Sequence, residues 1–169
     1  MTSRIRYSVL ALLMIAVLGC EQVIEEATRG TPPVGQTAQV VRVIDGDTVD
    51  VRYQGTEVRV RYVGVNTPER DEPCYEEAVQ ANIALVQGQT VTMVRDSSDT
   101  DRFGRLLRYL YVGDTFVNEE LIRQGVAESV LYGSDDEYFE DFSRLEQEAA
   151  RAGRGCHPTG IFDDGSDTR

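Results

Sequence analysis

The chain has 169 residues, 41% hydrophobic and 27% charged, which is ordinary for a globular domain and too short to expect two. Its 29 acidic residues against 17 basic ones give a formal charge of −12, and every basic residue is arginine. This balance opposes nonspecific retention on a polyanion, so a nucleic-acid partner requires basic residues gathered locally.

At the N-terminus, Arg4 and Arg6 precede an unbroken apolar run, Val9 to Leu18. The run is shorter than the roughly 20 residues a spanning helix needs and has the proportions of a signal-peptide core. It ends in VLGC, resembling a lipobox in which Cys20 becomes the lipid-bearing first residue of the mature protein. Residues 1–19 are therefore expected to be a signal peptide of the lipoprotein type, with ordinary secretion or an uncleaved anchor as alternatives. In each case the folded part is expected outside the cytoplasm, in the cell envelope as a membrane-anchored lipoprotein and otherwise secreted. Losing Arg4 and Arg6 takes the formal charge from −12 to −14. Residues 20–37, ending in Thr-Pro-Pro and Gly, read as a tether to the membrane.

The domain is expected over residues 38–157. Three strand patterns open it, Gln39 to Ile44, Thr48 to Tyr53 and Glu57 to Val63, the last two joined at Gln54-Gly55. Between the first two lies Asp45-Gly46-Asp47, which taken alone reads as a hairpin turn, although its two carboxylates also resemble a loop able to hold a hard cation. Alternation on the third strand puts Arg59 and Arg61 on one face. A helix fits YEEAVQANIALVQG, stopping at Gly88, followed by a strand Thr90 to Val94. A charged loop, Arg95 to Gly104, leads into a strand Leu106 to Val112.

Asn118 is expected to cap a helix over EELIRQ, and a Ser134-x-x-Glu137 box to open a final helix with Tyr138, Phe142, Leu145 and Ala149 on one side. Residues 158–169 read as a disordered tail. Five strands with a helix after the third and helices after the fifth predict an α+β, mainly β fold: a five-stranded OB-fold β-barrel with three helices packed on it.

With Cys20 given to lipid, Cys74 and Cys156 remain, and in an exported domain they most simply form one disulfide. Two free thiols are the alternative; a metal site with His157 meets no ligand spacing.

Four motifs occur in order: VIDGDTVDV, RVRYVGVNTPE, DRFGRLLRYLY and VNEELIRQGVA. Together they resemble the staphylococcal nuclease (thermonuclease) family, over about Val40 to Gly155. The resemblance implies a Ca²⁺-dependent phosphodiesterase, an endonuclease hydrolysing DNA and RNA with single strands preferred and leaving 3′-phosphate ends; separately, a monomer is expected. Carried over residue by residue, Asp47, Asn66 and the Thr67 carbonyl match the metal ligands, with Asp45 acting through water. Glu69 matches the general base, and Arg61 and Arg105 match the arginines on the phosphate. Arg59, Arg102, Phe103, Arg108 and Tyr132 are expected on the substrate. The roles agree with the chemistry: charge building on nonbridging oxygens calls for a cation and forked donors, and water needs a base within reach.

Three departures accompany the resemblance. Asn66 stands where the family has aspartate, so weaker calcium binding is expected. The segment ERDEPCYEE is short and lacks lysines, and stacking aromatics are only partly retained. A catalytically weakened OB-fold module that binds nucleic acid is the alternative reading. A structural envelope lipoprotein is a third. Three arginines and no acid between residues 102 and 108, against seven acids between Asp135 and Glu148, give the local segregation of charge that a nucleic-acid partner requires.

Overall fold

The computed structural model describes residues 34–163 and residue 165. The signal peptide, Cys20 with its lipid, the tether as far as residue 33 and the end of the tail lie outside these residues.

The elements follow in order as β1 (Gln36–Val43), β2 (Thr48–Tyr53), β3 (Thr56–Tyr62), β4 (Val65–Asn66), α1 (Tyr75–Val86), β5 (Thr90–Val94), β6 (Leu106–Val112), β7 (Thr115–Phe116), α2 (Val117–Gln124), β8 (Glu128–Ser129), α3 (Phe139–Arg151) and a 3₁₀ turn at His157–Thr159. Strands β3, β2, β1, β5 and β6 pair antiparallel in that order, and a parallel pairing of β3 with β6, Val60 opposite Leu106, closes the ring. The result is the expected five-stranded mixed barrel with three helices. Closure removes the open sheet edges and turns one face of each strand inward. Val40, Val49, Val51, Val60, Met93 and Leu110 fill that interior at 2% exposure or less.

β1 begins at Gln36 rather than Gln39, because Gln36 to Gln39 find partners on β5, Met93 to Thr90, in a pairing that local sequence does not encode. A register shift between Val40 and Arg42 bends the strand, as barrel closure requires. The residues taken for tail also begin in order: Thr159 closes the 3₁₀ turn on the Cys156 carbonyl, and Ile161 and Phe162 pack against the core.

Both expected helix caps are replaced. α2 starts at Val117 with Phe116 before it, and α3 starts after Tyr138 with no side-chain cap bond. Asn118 is fully buried, its Oδ1 accepting from Leu110 N–H at 2.9 Å and its Nδ2 donating to the Val63 carbonyl at 2.8 Å. It bridges barrel and helix instead of capping. Tyr138 and Phe142 stack with rings 5.9 Å apart, and Tyr109 meets Tyr138 edge-on at 4.8 Å. Gly64, at φ +74°, sits so close to the Phe142 ring that an added Cβ would stand 3.0 Å from it. Cys74, just before α1, is joined to Cys156 by a disulfide with Cα atoms 5.7 Å apart.

Candidate active site

The Asp45-Gly46-Asp47 turn connects β1 to β2, and its conformation is held from three directions. Ile44 N–H donates to the Thr48 carbonyl at 2.9 Å, and Asp47 N–H donates to Asp45 Oδ1 at 3.1 Å. From α1, Asn82 Nδ2 donates to the Asp45 carbonyl at 2.8 Å while its Oδ1 accepts from the Tyr62 hydroxyl. Asn82 belongs to the inward face of the helix, but it serves the turn rather than the apolar core. Gly46 lies against Thr67, where an added Cβ would meet Thr67 Oγ1 at 2.6 Å and its Cβ at 2.7 Å. Only glycine admits this approach.

That approach brings Asp47 to the segment after β3. Asp47 is 4% exposed. Its Oδ2 accepts from the Thr67 N–H at 3.0 Å and the Thr67 hydroxyl at 2.9 Å, and its Oδ1 from the Thr48 hydroxyl at 3.1 Å. Arg61 Nε stands 3.1 Å from the same Oδ1. The Arg61 guanidinium also donates to the carbonyls of Tyr62 and Val65, at 2.8 and 2.7 Å, and to Asn66 Oδ1 at 3.1 Å. It is 6% exposed and lies 5.9 Å from the Tyr132 ring centroid.

Asn66 is on β4, whose antiparallel partner β8 sets Glu128 directly opposite. Asn66 Nδ2 donates to Glu128 Oε1 at 2.9 Å, and Glu128 is 5% exposed. Glu128 was not among the expected site residues. Its signal was an acid set among apolar neighbours in VAESV, but its partner lies on another strand.

Asp45 is pushed up to about 6, first by burial and then by the charge of Asp47. Tyr132 is also raised, chiefly by burial, with Arg61 opposing.

Among the described residues, no group of three or more His, Cys, Asp or Glu side chains is set to hold a metal ion. The candidate ligands nevertheless fit a hard cation by donor type: the Asp47 carboxylate, the Asn66 amide oxygen, the Thr67 carbonyl and Asp45 offer oxygen only. Asp47 Oδ1 and Asn66 Oδ1 also both turn toward one cation, the Arg61 guanidinium.

The remaining expected residues are placed differently. Glu69 is exposed on a turn two residues beyond Thr67, its N–H donating to Glu72 Oε2 at 2.8 Å. Arg105 is tied to Asp101 through Nε at 2.5 Å and through its backbone N–H at 2.9 Å. Burial would raise the Asp101 carboxyl, but the bonds from Arg105 and from the Phe103 N–H hold it below its usual range.

Phe103 is 69% exposed, with the guanidinium carbons of Arg102 and Arg105 at 4.7 and 5.5 Å from its ring centre. Arg59 shares a groove with Asp50, Val58, Phe103, Gly104 and Arg105. It is bonded to Asp50, as is Arg42, and these bonds, Arg59's first, hold the Asp50 carboxyl low against its burial.

Arg108, expected on the substrate, is 4% exposed and donates to the Asp99 carbonyl, the Leu107 carbonyl and Asp99 Oδ1. Arg108 is expected on the strand Leu106 to Val112, but nothing in that pattern says which face closes against the 95–105 loop. The structure gives it a place inside that loop.

Residues 59–156 match the family described as staphylococcal nuclease homologue. The chain is 33% identical over 122 residues to the thermonuclease of Staphylococcus hyicus, covering 69% of this chain and 72% of that protein. It is 32% identical over 123 residues to the thermonuclease of Staphylococcus intermedius, covering 69% and 73%. To endonuclease YncB of Bacillus subtilis it is 36% identical over 137 residues, covering 73% of this chain but 65% of that longer protein. With its closed barrel and the matched segment spanning the arginine loop and all three helices, the chain belongs to the staphylococcal nuclease family.

Proposed function

We propose that this protein is a Ca²⁺-dependent endonuclease that hydrolyses phosphodiester bonds in DNA and RNA, prefers single strands and leaves 3′-phosphate ends. We further propose that it works outside the cytoplasm as a monomer, held to the membrane by lipid on Cys20. The observation that carries the catalytic reading is the convergence of Asp47 and Asn66 oxygens on Arg61, which stands two residues along β3 from Arg59, a residue that shares a groove with Phe103 and Arg105.

In this reading Asp47, Asn66 and the Thr67 carbonyl hold the calcium, with Asp45 beside them. Bound there, calcium supplies positive charge for the phosphate oxygens and acidifies a water. The protein's own groups do the rest. Glu69, exposed at the turn after Thr67, takes a proton from the attacking water. Arg105 exchanges Asp101 for a phosphate oxygen, which its planar fork suits. Phe103 offers an open ring face for a base. Arg59, in the groove beside Arg105 and Phe103, offers a further fork to the phosphate backbone, whereas Arg61 reaches a phosphate only by giving up bonds to Asp47 or Asn66.

The test is incubation of the protein with heat-denatured DNA in calcium or EDTA, beside Glu69→Gln and Arg105→Ala. Cutting that needs calcium and is lost in both variants is the expected result. No cutting at any calcium level, from protein shown to be folded, would replace the enzyme with a nucleic-acid-binding module on the same barrel.

A further inference from the structure

The bond between Asn66 and Glu128 joins two buried side chains whose backbones are paired across β4 and β8. The geometry leaves the Asn66 amide one orientation. On one side it faces a carboxylate, which can only accept; on the other it faces the Arg61 guanidinium, which can only donate. Reversing the amide would set oxygen against oxygen and N–H against N–H, leaving two buried groups opposed. Glu128 therefore decides that the amide oxygen, rather than the amide nitrogen, faces Arg61, which also holds Asp47.

Charge gives Glu128 a second role. Among the described residues, the buried ionic groups of the cluster are Asp47, Glu128 and Arg61, whose formal charges sum to −1. Asn66 adds nothing to that sum. Glu128, in contact with it, contributes a negative charge that an aspartate at 66 would have contributed.

We infer that Glu128 is a positioning residue of the calcium cradle: through its bond to Asn66 it aims the amide oxygen at the cation position and supplies the charge that asparagine lacks. This inference rests on the calcium reading above. It also alters what Asn66→Asp means. Taken alone that substitution presses a second carboxylate against Glu128, where a 2.9 Å hydrogen bond now stands. The change that conserves both charge and bonding is the exchange Asn66→Asp with Glu128→Gln.

The experiment is calcium titration by calorimetry on the full chain, with melting curves in calcium-free buffer, for wild type, Glu128→Gln, Asn66→Asp and the double variant. Glu128→Gln, nearly isosteric, is expected to weaken calcium binding about tenfold, and the double variant to return to within about threefold of wild type. Asn66→Asp is expected to melt lowest without calcium, and adding Glu128→Gln to restore the melting temperature. Glu128→Gln binding calcium as tightly as wild type, or a double variant no better than its single parents in binding or in melting, would overturn the inference while leaving the calcium reading intact. No calcium uptake by folded wild type would overturn both.

Discussion

The candidate site contains two arginine–aspartate pairs, and they are built differently. Arg61 and Asp47 are 7% and 6% exposed as side chains, and each is bonded to further buried groups. Arg105 and Asp101 are 29% and 16% exposed, and their loop carries an open phenylalanine. The first pair is a fixed part of the fold, while the second can exchange partners. One side of the site is thus preorganised and the other adaptable, although both are written in the sequence as an arginine and an aspartate.

The largest effect that follows is on stability. Arg61→Ala strands the Asp47 carboxylate in a buried site and is expected to destabilise by about 3–5 kcal/mol, read from urea unfolding. A loss similar to that of an exposed pair would remove the distinction between the two sides.

Next is Gly46→Ala, whose methyl group would overlap Thr67 at 2.6 Å. Such overpacking is expected to remove about 1–3 kcal/mol and to lower calcium affinity, since it pushes the turn away from Thr67. Tight calcium binding by a stable Gly46→Ala would show that the cradle does not depend on that contact.

Smaller again is Asp50→Asn on the groove side. The Asp50 carboxyl is held low, first by its bond to Arg59, so its contribution is present above its usual value of 3.8 and is lost as pH falls through the lowered one. Melting from pH 2 to pH 7 should show a gap of about 1 kcal/mol at neutral pH that closes in acid. A gap independent of pH would assign the effect to packing.

The smallest effect on stability is expected for Phe103→Ala, within about 0.5 kcal/mol because the ring is exposed. Its consequence belongs to substrate affinity, at about 1–3 kcal/mol, measured by titration with a short labelled single strand. A stability loss with unchanged affinity would reverse the assignment of that side as adaptable.

Much of the fold could be read in advance, because β2 and β5 carry period-two alternation, β6 is a short apolar and aromatic run, and their bounds fall where those patterns stop. What escaped was long-range. The first four residues of β1 depend on β5, and the partner of Asn66 lies 62 residues away. Asn118 has the look of a cap and behaves as a core bridge, since burial decides what a short amide bonds to. Asp45, Asp47, Arg61, Asn66 and Thr67 come together because their motifs flank one barrel end. Arg108 carries the same charge as its neighbours, and only closure of the barrel shows that it is consumed by the loop.

The parallel closure of β3 on β6 also bears on how the chain reaches this state. Val60 waits for Leu106, Asn66 for Glu128 and Cys74 for Cys156, so the cradle's supports are supplied progressively later in the chain. Contacts at such separation slow folding, because loop closure precedes any gain from the contact. A nascent chain ending near residue 125 carries Asp45, Asp47, Arg61, Asn66, Arg105 and Phe103, but not the carboxylate that aims the amide. Synthesis from the N-terminus therefore delays a finished site until almost the whole domain exists.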